Sequence, residues 1–202
     1  MNRVKTAVLV SGGGTNLQAL IDAEKAGSLP HVEFVSVISS RPDAYALTRA
    51  KNAGIPGYVV ERKGSTQADF ERGILDLLEK VGAELIILAG FMSILSADFV
   101  GRYPRRILNV HPALLPAFGG KGYFGLHVHE AALERGVKVT GATVHYVNEI
   151  ADGGEIILQK AVDVLPGDTP ETLQRRVMEQ AEWLLLPRAA ELAAQEILGL
   201  HA

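Results

Sequence analysis

The chain has 202 residues, of which 48% are hydrophobic, with a formal net charge of −3 and no cysteine. This length suits one domain with a full core, the charge offers no basic footprint for nucleic acid, and the lack of cysteine excludes disulfides and thiolate metal sites and fits a reducing cytoplasm. Because the first apolar run, residues 7–10, is too short for a membrane span, we expect no membrane partner and a cytoplasmic location.

The first half of the chain alternates short β-branched runs with helical patterns. Strands are predicted at residues 6–10, 34–38, 58–60, 85–88 and 107–110. Helices are predicted at residues 16–26, 44–53 and 66–81, the last with an apolar stripe typical of a helix packed on a sheet. Strands separated by helices indicate right-handed βαβ units and a parallel sheet.

The pattern changes after residue 139. Residues 140–147 and 155–162 predict two strands joined by a hairpin or long turn. A last helix is predicted at residues 169–194, with Leu184 on its buried face and Pro187 kinking or dividing it. The predicted fold class is α/β, a doubly wound and mostly parallel sheet with an antiparallel C-terminal portion.

A glycine-rich segment, SGGGTN at residues 11–16, lies between the first strand and the first helix. Glycines let backbone N–H groups approach an anion, and a helix N-terminus adds a favourable dipole. The residues that a dinucleotide loop or a P-loop needs are absent, so the anion is expected to be a monophosphate. The alternative is a tight turn with Thr15 or Asn16 as the helix cap.

An amide and an imidazole stand at the end of the fifth predicted strand. Asn109 interrupts its apolar run and His111 ends it, directly before Pro112. Side chains alternate along a strand, so Asn109 and His111 share a face and could both donate hydrogen bonds to the oxyanion of an acyl transfer. The alternative is a polar pair that only caps the strand end.

Asp152 is open to two interpretations. Asp-Gly is a strong turn signal. A carboxylate there could also reach His111, orient the ring and raise its pKa above the usual value. Nearby histidines, His127 and His129, have a spacing seen in metal sites, but positions i and i+2 of a helix lie on different faces, so no metal is expected.

Four segments together resemble the folate-dependent formyltransferase family, in the branch that acts on glycinamide ribonucleotide: SGGGTNLQ, AGFMSIL, LNVHPALLP and VHYVNEIADGGEIILQ. The resemblance covers nearly the whole chain in order. It implies one Rossmann-like domain over residues 1–202, with a nucleotide- and phosphate-binding half (1–105) and a catalytic, folate-binding half (106–202). It also implies formyl transfer from 10-formyltetrahydrofolate to the glycyl amine of glycinamide ribonucleotide, in purine synthesis. A homodimer is a further expectation.

The resemblance also implies the site residues. The catalytic trio falls on Asn109, His111 and Asp152. The implied nucleotide-binding residues are Gly12, Gly13, Gly14, Thr15, Asn16 and Glu182. The implied folate-binding residues are Met92, Ser93, Ile94, Leu95, Asn109 and Val147, together with the rest of the loop from residue 147 to 152.

Several positions depart from the family pattern. Ser93 and Gln67 stand where the family commonly has arginine, and the last helix is one residue longer before Glu182. The segment AFGGKGYFGLH, residues 117–127, is also longer than usual. It predicts either a plain surface loop or a lid whose Tyr123 and Phe124 exclude water and whose Lys121 pairs with a ligand anion. Enzymes that formylate methionyl-tRNA or hydrolyse formyl-folate, and a non-catalytic binding module, remain rival functions.

Overall fold

The computed structural model describes residues 2–200. Within them the strands are β1 (Val4–Val10), β2 (Val32–Ser39), β3 (Gly57–Val59), β4 (Leu85–Leu88), β5 (Ile107–His111), β6 (Val139–Tyr146) and β7 (Ile156–Asp163). The α-helices are α1 (Thr15–Lys25), α2 (Tyr45–Asn52), α3 (Gln67–Val81), α4 (Ala97–Gly101), α5 (Leu126–Arg135), α6 (Pro170–Val177) and α7 (Trp183–Ile197), and a π-helical turn (Met178–Glu182) joins the last two.

The strands described form one sheet in the order β3-β2-β1-β4-β5-β6-β7. Strands β1 to β5 are parallel, and β6 and β7 are antiparallel to their neighbours. The predicted fold class is confirmed. Strand order reverses beside β1, and such a switch point opens a crevice at the carboxyl ends of the strands, where open α/β sheets bind ligands.

Two apolar layers hold the helices on the sheet. One face packs under α1, α2, α5, α6 and α7, with Leu17, Leu173 and Leu186 fully buried. The other face packs under α3 and α4, with Phe70 and Phe99 buried. The central strands are covered on both faces, which explains why the sequence shows continuous apolar runs there rather than alternation.

The helix predicted at residues 66–81 from its apolar stripe is confirmed as α3, and the structure shows what ends it. Thr66 is the N-cap and accepts a hydrogen bond from the Asp69 N–H, and Gly82 ends the helix in the left-handed conformation at φ 65°. Such local stop signals are readable from sequence. Helix α4 was not predicted, because its five residues are too few to show a helical period.

The last helix departs from its prediction in two ways. It is divided at the π-helical turn Met178–Glu182, whereas Pro187 lies inside α7 without ending it. A π-turn holds an extra residue, so the buried face moves along by one position. Leu184, expected on the buried face, is therefore 57% exposed, while Leu185 and Leu186 are buried.

Candidate active site

A cavity of about 520 Å³ opens at the carboxyl edge of the sheet. This volume is typical of a small-molecule site. Residues from both halves of the chain form its wall. The predicted site residues that it brings together are Asn16, Met92, Ser93, Ile94, Leu95, Asn109, His111, Val147, Asp152 and Glu182.

The remaining predicted nucleotide residues do not line this cavity. Gly12, Gly13, Gly14 and Thr15 precede Asn16 at its edge, where β1 passes into α1. Within residues 2–200, the backbone N–H groups of residues 12–17 donate no hydrogen bond. Unpaired amides at a helix N-terminus suit an anion such as phosphate.

The glycines of this loop have different structural reasons. Gly14 has φ 73°, and a Cβ there would lie 2.7 Å from the Ala46 Cβ, so the fold itself requires glycine. A Cβ at Gly12 or Gly13 would meet nothing within 4 Å, so packing does not require glycine at either position. The Gly13 carbonyl accepts a hydrogen bond from Arg49 Nε at 2.8 Å, which holds the loop toward α2.

The alternative of Thr15 or Asn16 as a helix cap is wrong, because Gly14 is the N-cap of α1 and no side chain caps it. The side chain of Asn16 instead donates from Nδ2 to Glu182 Oε2 at 2.7 Å. Burial raises the pKa of Glu182, against the opposing effect of this hydrogen bond. The Asn16 Oδ1 atom is buried without a partner among the described residues. Two predicted nucleotide residues, distant in sequence, are therefore in contact.

The three residues of the predicted catalytic trio lie close together. Asn109 and His111 extend from the same side of β5 into the cavity. His111 Nδ1 lies 3.5 Å from Asp152 Oδ2, and Asn109 Nδ2 donates to Asp152 Oδ1 at 3.4 Å. Asp152 is in the left-handed conformation at φ 54°, which aspartate tolerates better than most residues. The Asp-Gly pair is thus both a turn and part of the cluster.

The pKa of His111 moves opposite to expectation. Burial lowers it below the usual value, and His145 adds to that effect, although Asp152 and the Phe118 carbonyl oppose it. The expected elevation is wrong, because the ring loses more hydration than the carboxylate 3.5 Å away restores. His111 Nε2 lies 2.7 Å from the Phe118 carbonyl oxygen, so both ring nitrogens face oxygen acceptors.

Sequence reasoning missed His145, which is buried on β6 directly opposite Asn109. Its Nδ1 donates to the Tyr146 carbonyl at 2.9 Å, and its Nε2 lies 3.2 Å from Asn109 Nδ2 and 3.6 Å from Asp152 Oδ1. The pKa of Asp152 is lowered: burial would raise it, but His145, His111 and the Gly120 N–H together outweigh burial. The pairing of β5 with β6 was the signal that could have identified this histidine.

A second set of side chains fixes the segment after His111. Thr143 Oγ1 donates to the Ala113 carbonyl at 2.7 Å and accepts from the Leu115 N–H at 3.0 Å. Gln159 Nε2 donates to the Leu115 carbonyl at 2.9 Å. Residues of β6 and β7 therefore hold this segment beside β5, and the antiparallel portion of the sheet helps to shape the cavity.

The glycine-rich segment of residues 118–125 lies against the trio. The Gly120 N–H donates to Asp152 Oδ2 at 2.8 Å. At Gly119 a Cβ would lie 3.5 Å from the Asp152 Cβ, so the backbone approaches the carboxylate closely. Lys121, Tyr123 and Phe124 line the cavity from this segment, and both aromatic rings are partly exposed. Whether the segment closes as a lid stays a prediction.

The predicted folate segment forms an apolar part of the wall. Met92 is 58% exposed and Ile94 68% exposed, which leaves apolar surface available to a ligand. Gln67, in place of the family's arginine, donates from Nε2 to the Ile94 carbonyl at 3.0 Å and to Glu71 Oε1 at 2.6 Å. Gln67 thus holds the backbone of the predicted folate segment in place through the Ile94 carbonyl.

Neither of the two neighbouring histidines lies in a metal cluster. Across residues 2–200 there is no group of three or more His, Cys, Asp or Glu placed to hold a metal ion. His127 Nδ1 lies 2.8 Å from Glu130 Oε2, whereas His129 is buried. No helix in the described part of the chain is long and apolar enough to span a membrane.

Fold and site together define the class of protein. An α/β sheet with unpaired amides after β1, and with an amide, an imidazole and a carboxylate after β5, suits acyl transfer to an anionic substrate. The groups after β5 line the cavity, and the loop after β1 reaches its wall at Asn16. The class that this arrangement defines is therefore a group-transfer enzyme.

Comparisons with known proteins give the family. The formyl transferase family matches residues 4–189. The chain is 45% identical to phosphoribosylglycinamide formyltransferase of Haemophilus influenzae, over 91% of this chain and 84% of that protein. It is 46% identical to the trifunctional purine biosynthetic protein adenosine-3 of Gallus gallus, over 96% of this chain, but it spans only 19% of that protein. The chain belongs to the formyl transferase family, among the phosphoribosylglycinamide formyltransferases.

The solved structures agree. Glycinamide ribonucleotide transformylase 1 of Symbiobacterium toebii matches with a TM-score of 0.89 and 41% identity, over 96% of this chain and 89% of that one. A formyltetrahydrofolate deformylase of Pseudomonas putida matches with a TM-score of 0.84 and 32% identity, and this chain covers 66% of it. Both similarities extend over nearly the whole of this chain.

Proposed function

We propose that the chain transfers the formyl group of 10-formyltetrahydrofolate to the glycyl amine of glycinamide ribonucleotide, a step of purine synthesis. The observation that carries the proposal is the convergence on one cavity of Asn109, His111 and Asp152 with the end of the unpaired-amide loop, at Asn16. This arrangement pairs an oxyanion site with a phosphate site. The family to which the chain belongs supports both substrates.

Each substrate has its own part of the wall. The nucleotide phosphate binds the backbone N–H groups after β1, from Gly12 to Asn16, and the ribose lies at Glu182. The folate binds the exposed apolar segment Met92 to Leu95 and the loop that begins at Val147. Residues 1–105 and 106–202 act in this proposal as the nucleotide half and the catalytic, folate-binding half.

The reaction exchanges one C–N bond for another. The glycyl amine attacks the formyl carbon, a new C–N bond forms, and the carbonyl oxygen becomes an oxyanion. Asn109 Nδ2 donates a hydrogen bond to that oxygen, and the His111 ring does so once it has taken the proton of the amine. The bond from the formyl carbon to N10 of the folate then breaks, and the proton lost by the amine is returned to N10.

The lowered pKa of His111 is consistent with this transfer of a proton from the amine to N10. The ring is neutral at neutral pH, so it can take the proton from the attacking amine and later return it. Asp152 is ionised, since its own pKa is lowered, and its charge stabilises the transient imidazolium. His145 orients Asn109 and Asp152 through contacts at 3.2 and 3.6 Å.

The segment 118–125 has a proposed gating role. The Phe118 carbonyl lies 2.7 Å from His111 Nε2, on the nitrogen that the formyl oxygen would approach. Water reaching the formyl group would compete with the amine, so closure around both substrates favours transfer over hydrolysis. We expect hydrogen exchange of residues 118–125 to slow when both ligands bind. Unchanged exchange, together with Lys121→Ala having the wild-type kcat/KM, would leave only a surface loop.

The function is tested by mixing the protein with 10-formyltetrahydrofolate, with and without glycinamide ribonucleotide. Formylated nucleotide is expected only when the nucleotide is present, with stoichiometric release of tetrahydrofolate. Release of formate without nucleotide would instead support a deformylase activity like that named for the Pseudomonas putida relative. A homodimer and a cytoplasmic location stay predictions, which sedimentation and imaging of a tagged chain would check.

A further inference from the structure

His129, in the first turn of α5, is fully buried, yet neither ring nitrogen has a hydrogen-bond partner among the described residues. It nevertheless forms part of the cavity wall. Burying a polar group unpaired costs about 1–3 kcal/mol, so native structures rarely leave one without a reason. A ring of this kind at a cavity wall indicates a hydrogen bond that forms when a ligand is present.

His127, in the same turn of α5, differs from His129 because its ring is exposed and has a partner. His127 is exposed and lies 2.8 Å from Glu130. Buried side-chain atoms without a partner are few in residues 2–200, and those at the cavity wall are Asn16 Oδ1 and the two nitrogens of His129. The unpaired polar atoms at the cavity wall are therefore available to a ligand bound in that one cavity. Asn16 already lies in the proposed nucleotide region, while no role has been assigned to His129.

The charge state of His129 limits which chemical groups of a ligand it can bind. Burial, and to a smaller extent His111, lower the pKa of His129 to about 4. At neutral pH the ring is uncharged, with one N–H donor and one lone pair, so it suits a neutral polar group better than a charged phosphate. His129 lines the same cavity as His111 and Asn109. The part of the nucleotide there is the glycinamide arm, whose amide is neutral.

We propose that His129 is a further substrate-binding residue, which hydrogen-bonds the amide of the glycinamide arm and so positions the glycyl amine for attack. Either ring nitrogen can carry the proton, so the ring adapts to the amide carbonyl or the amide N–H. The arm is short, so fixing its amide restricts the amine near the formyl carbon. This inference rests on the proposed function, because it names the part of that substrate which His129 contacts.

Steady-state kinetics of His129→Leu tests the inference. The buried apolar replacement removes the hydrogen bond, and KM for glycinamide ribonucleotide is expected to rise about tenfold, the effect of one lost hydrogen bond. The KM for 10-formyltetrahydrofolate should stay within about twofold. His129→Gln, which keeps a donor and an acceptor, should recover part of the loss. Glu134→Gln, at an exposed position near the other end of α5, is the control and should behave as wild type.

A direct spectroscopic measurement does not depend on any variant folding. The ¹⁵N resonances of the His129 ring in the wild-type protein should shift when glycinamide ribonucleotide is added, and not when folate alone is added. Unshifted resonances, or an unchanged nucleotide KM in a folded His129→Leu, would overturn the inference. Wild-type protein that fails to formylate the nucleotide at all would overturn the proposed function instead.

Discussion

The two halves of the chain contribute to the cavity in different ways. After β1, the first half offers backbone amides, and Arg49 holds this loop in place, with its Nε 2.8 Å from the Gly13 carbonyl oxygen. After β5, the second half offers side chains that orient one another, with Asp152 within 3.6 Å of both His111 and His145. A backbone site depends on local conformation, whereas a side-chain cluster depends on contacts between distant segments.

This difference predicts how each region responds to substitution. In the second half, one side-chain change should remove chemistry and leave the fold intact. In the loop after β1, one substitution should either strain the backbone and lower stability, or fill the space beside the amides and weaken ligand binding. The following variants separate these two behaviours.

Asp152→Asn should have the largest effect. The amide keeps the volume but loses the negative charge that stabilises protonated His111, so kcat is expected to fall about 100- to 1000-fold. Nucleotide binding, measured by calorimetry, should change little, since Asp152 is not part of the loop after β1. Asp76→Asn, an exposed carboxylate on α3, is the control. Near-wild-type turnover in Asp152→Asn would contradict the assignment of the cluster.

The buried histidine of the second half should make stability depend on pH. The pKa of His129 is about 4 in the folded protein against 6.5 unfolded, so below pH 6.5 the unfolded chain binds a proton that the folded chain excludes. Stability is therefore lost as pH falls from about 6.5 toward 4. Between pH 7 and pH 4.5 this one group should lower the free energy of unfolding by roughly 2–3 kcal/mol.

Urea unfolding of the wild type and of His129→Leu at both pH values measures this difference. The variant should lose less stability between pH 7 and 4.5, while a slope from His111, whose pKa is also lowered, remains in both proteins. His127→Leu should keep the wild-type dependence, because His127 is exposed. Equal pH dependence in all three proteins would mean that His129 is not buried in its neutral form.

Two neighbouring glycines test the first half. Gly14→Ala places a Cβ at positive φ and 2.7 Å from Ala46, so the free energy of unfolding should fall by at least about 1–2 kcal/mol. Gly13→Ala meets no atom within 4 Å, so stability should change by less than about 0.5 kcal/mol. Its methyl group would stand in open space beside the unpaired amides, and nucleotide affinity should weaken while folate affinity is kept. Unchanged nucleotide affinity in Gly13→Ala would remove the loop from the phosphate site.

Local signals account for what the sequence could predict. The strands and the Thr66-capped helix α3 follow from apolar runs and capping residues, and Asn109 and His111 share a face because strand side chains alternate. The contact of Asn16 with Glu182 and the placement of His145 depend on pairing across the fold, which no local pattern contains. The lowered pKa of His111 depends on how deeply the ring is buried, which a proximity argument cannot supply.

The last helix also shows a feature that no local sequence pattern predicts. A regular helix with buried Leu173, Val177 and Ala181 would next bury residue 184 or 185, and periodicity alone cannot choose between them. The π-helical turn Met178–Glu182 takes in an extra residue, which leaves Leu184 in solvent and turns Leu185 and Leu186 inward. The same turn contains Glu182, so the irregularity lies where the helix meets the cavity.

Leu184→Ala should therefore have the smallest effect. The side chain is 57% exposed, so its truncation should change the free energy of unfolding by less than about 0.5 kcal/mol. Leu186→Ala, two residues along the same helix and fully buried, is the matched comparison and should cost about 2–5 kcal/mol. Chemical denaturation of both variants measures the pair. The reverse order of effects would mean that α6 continues into α7 as one regular helix, and Glu182 would then lose the position from which it contacts Asn16.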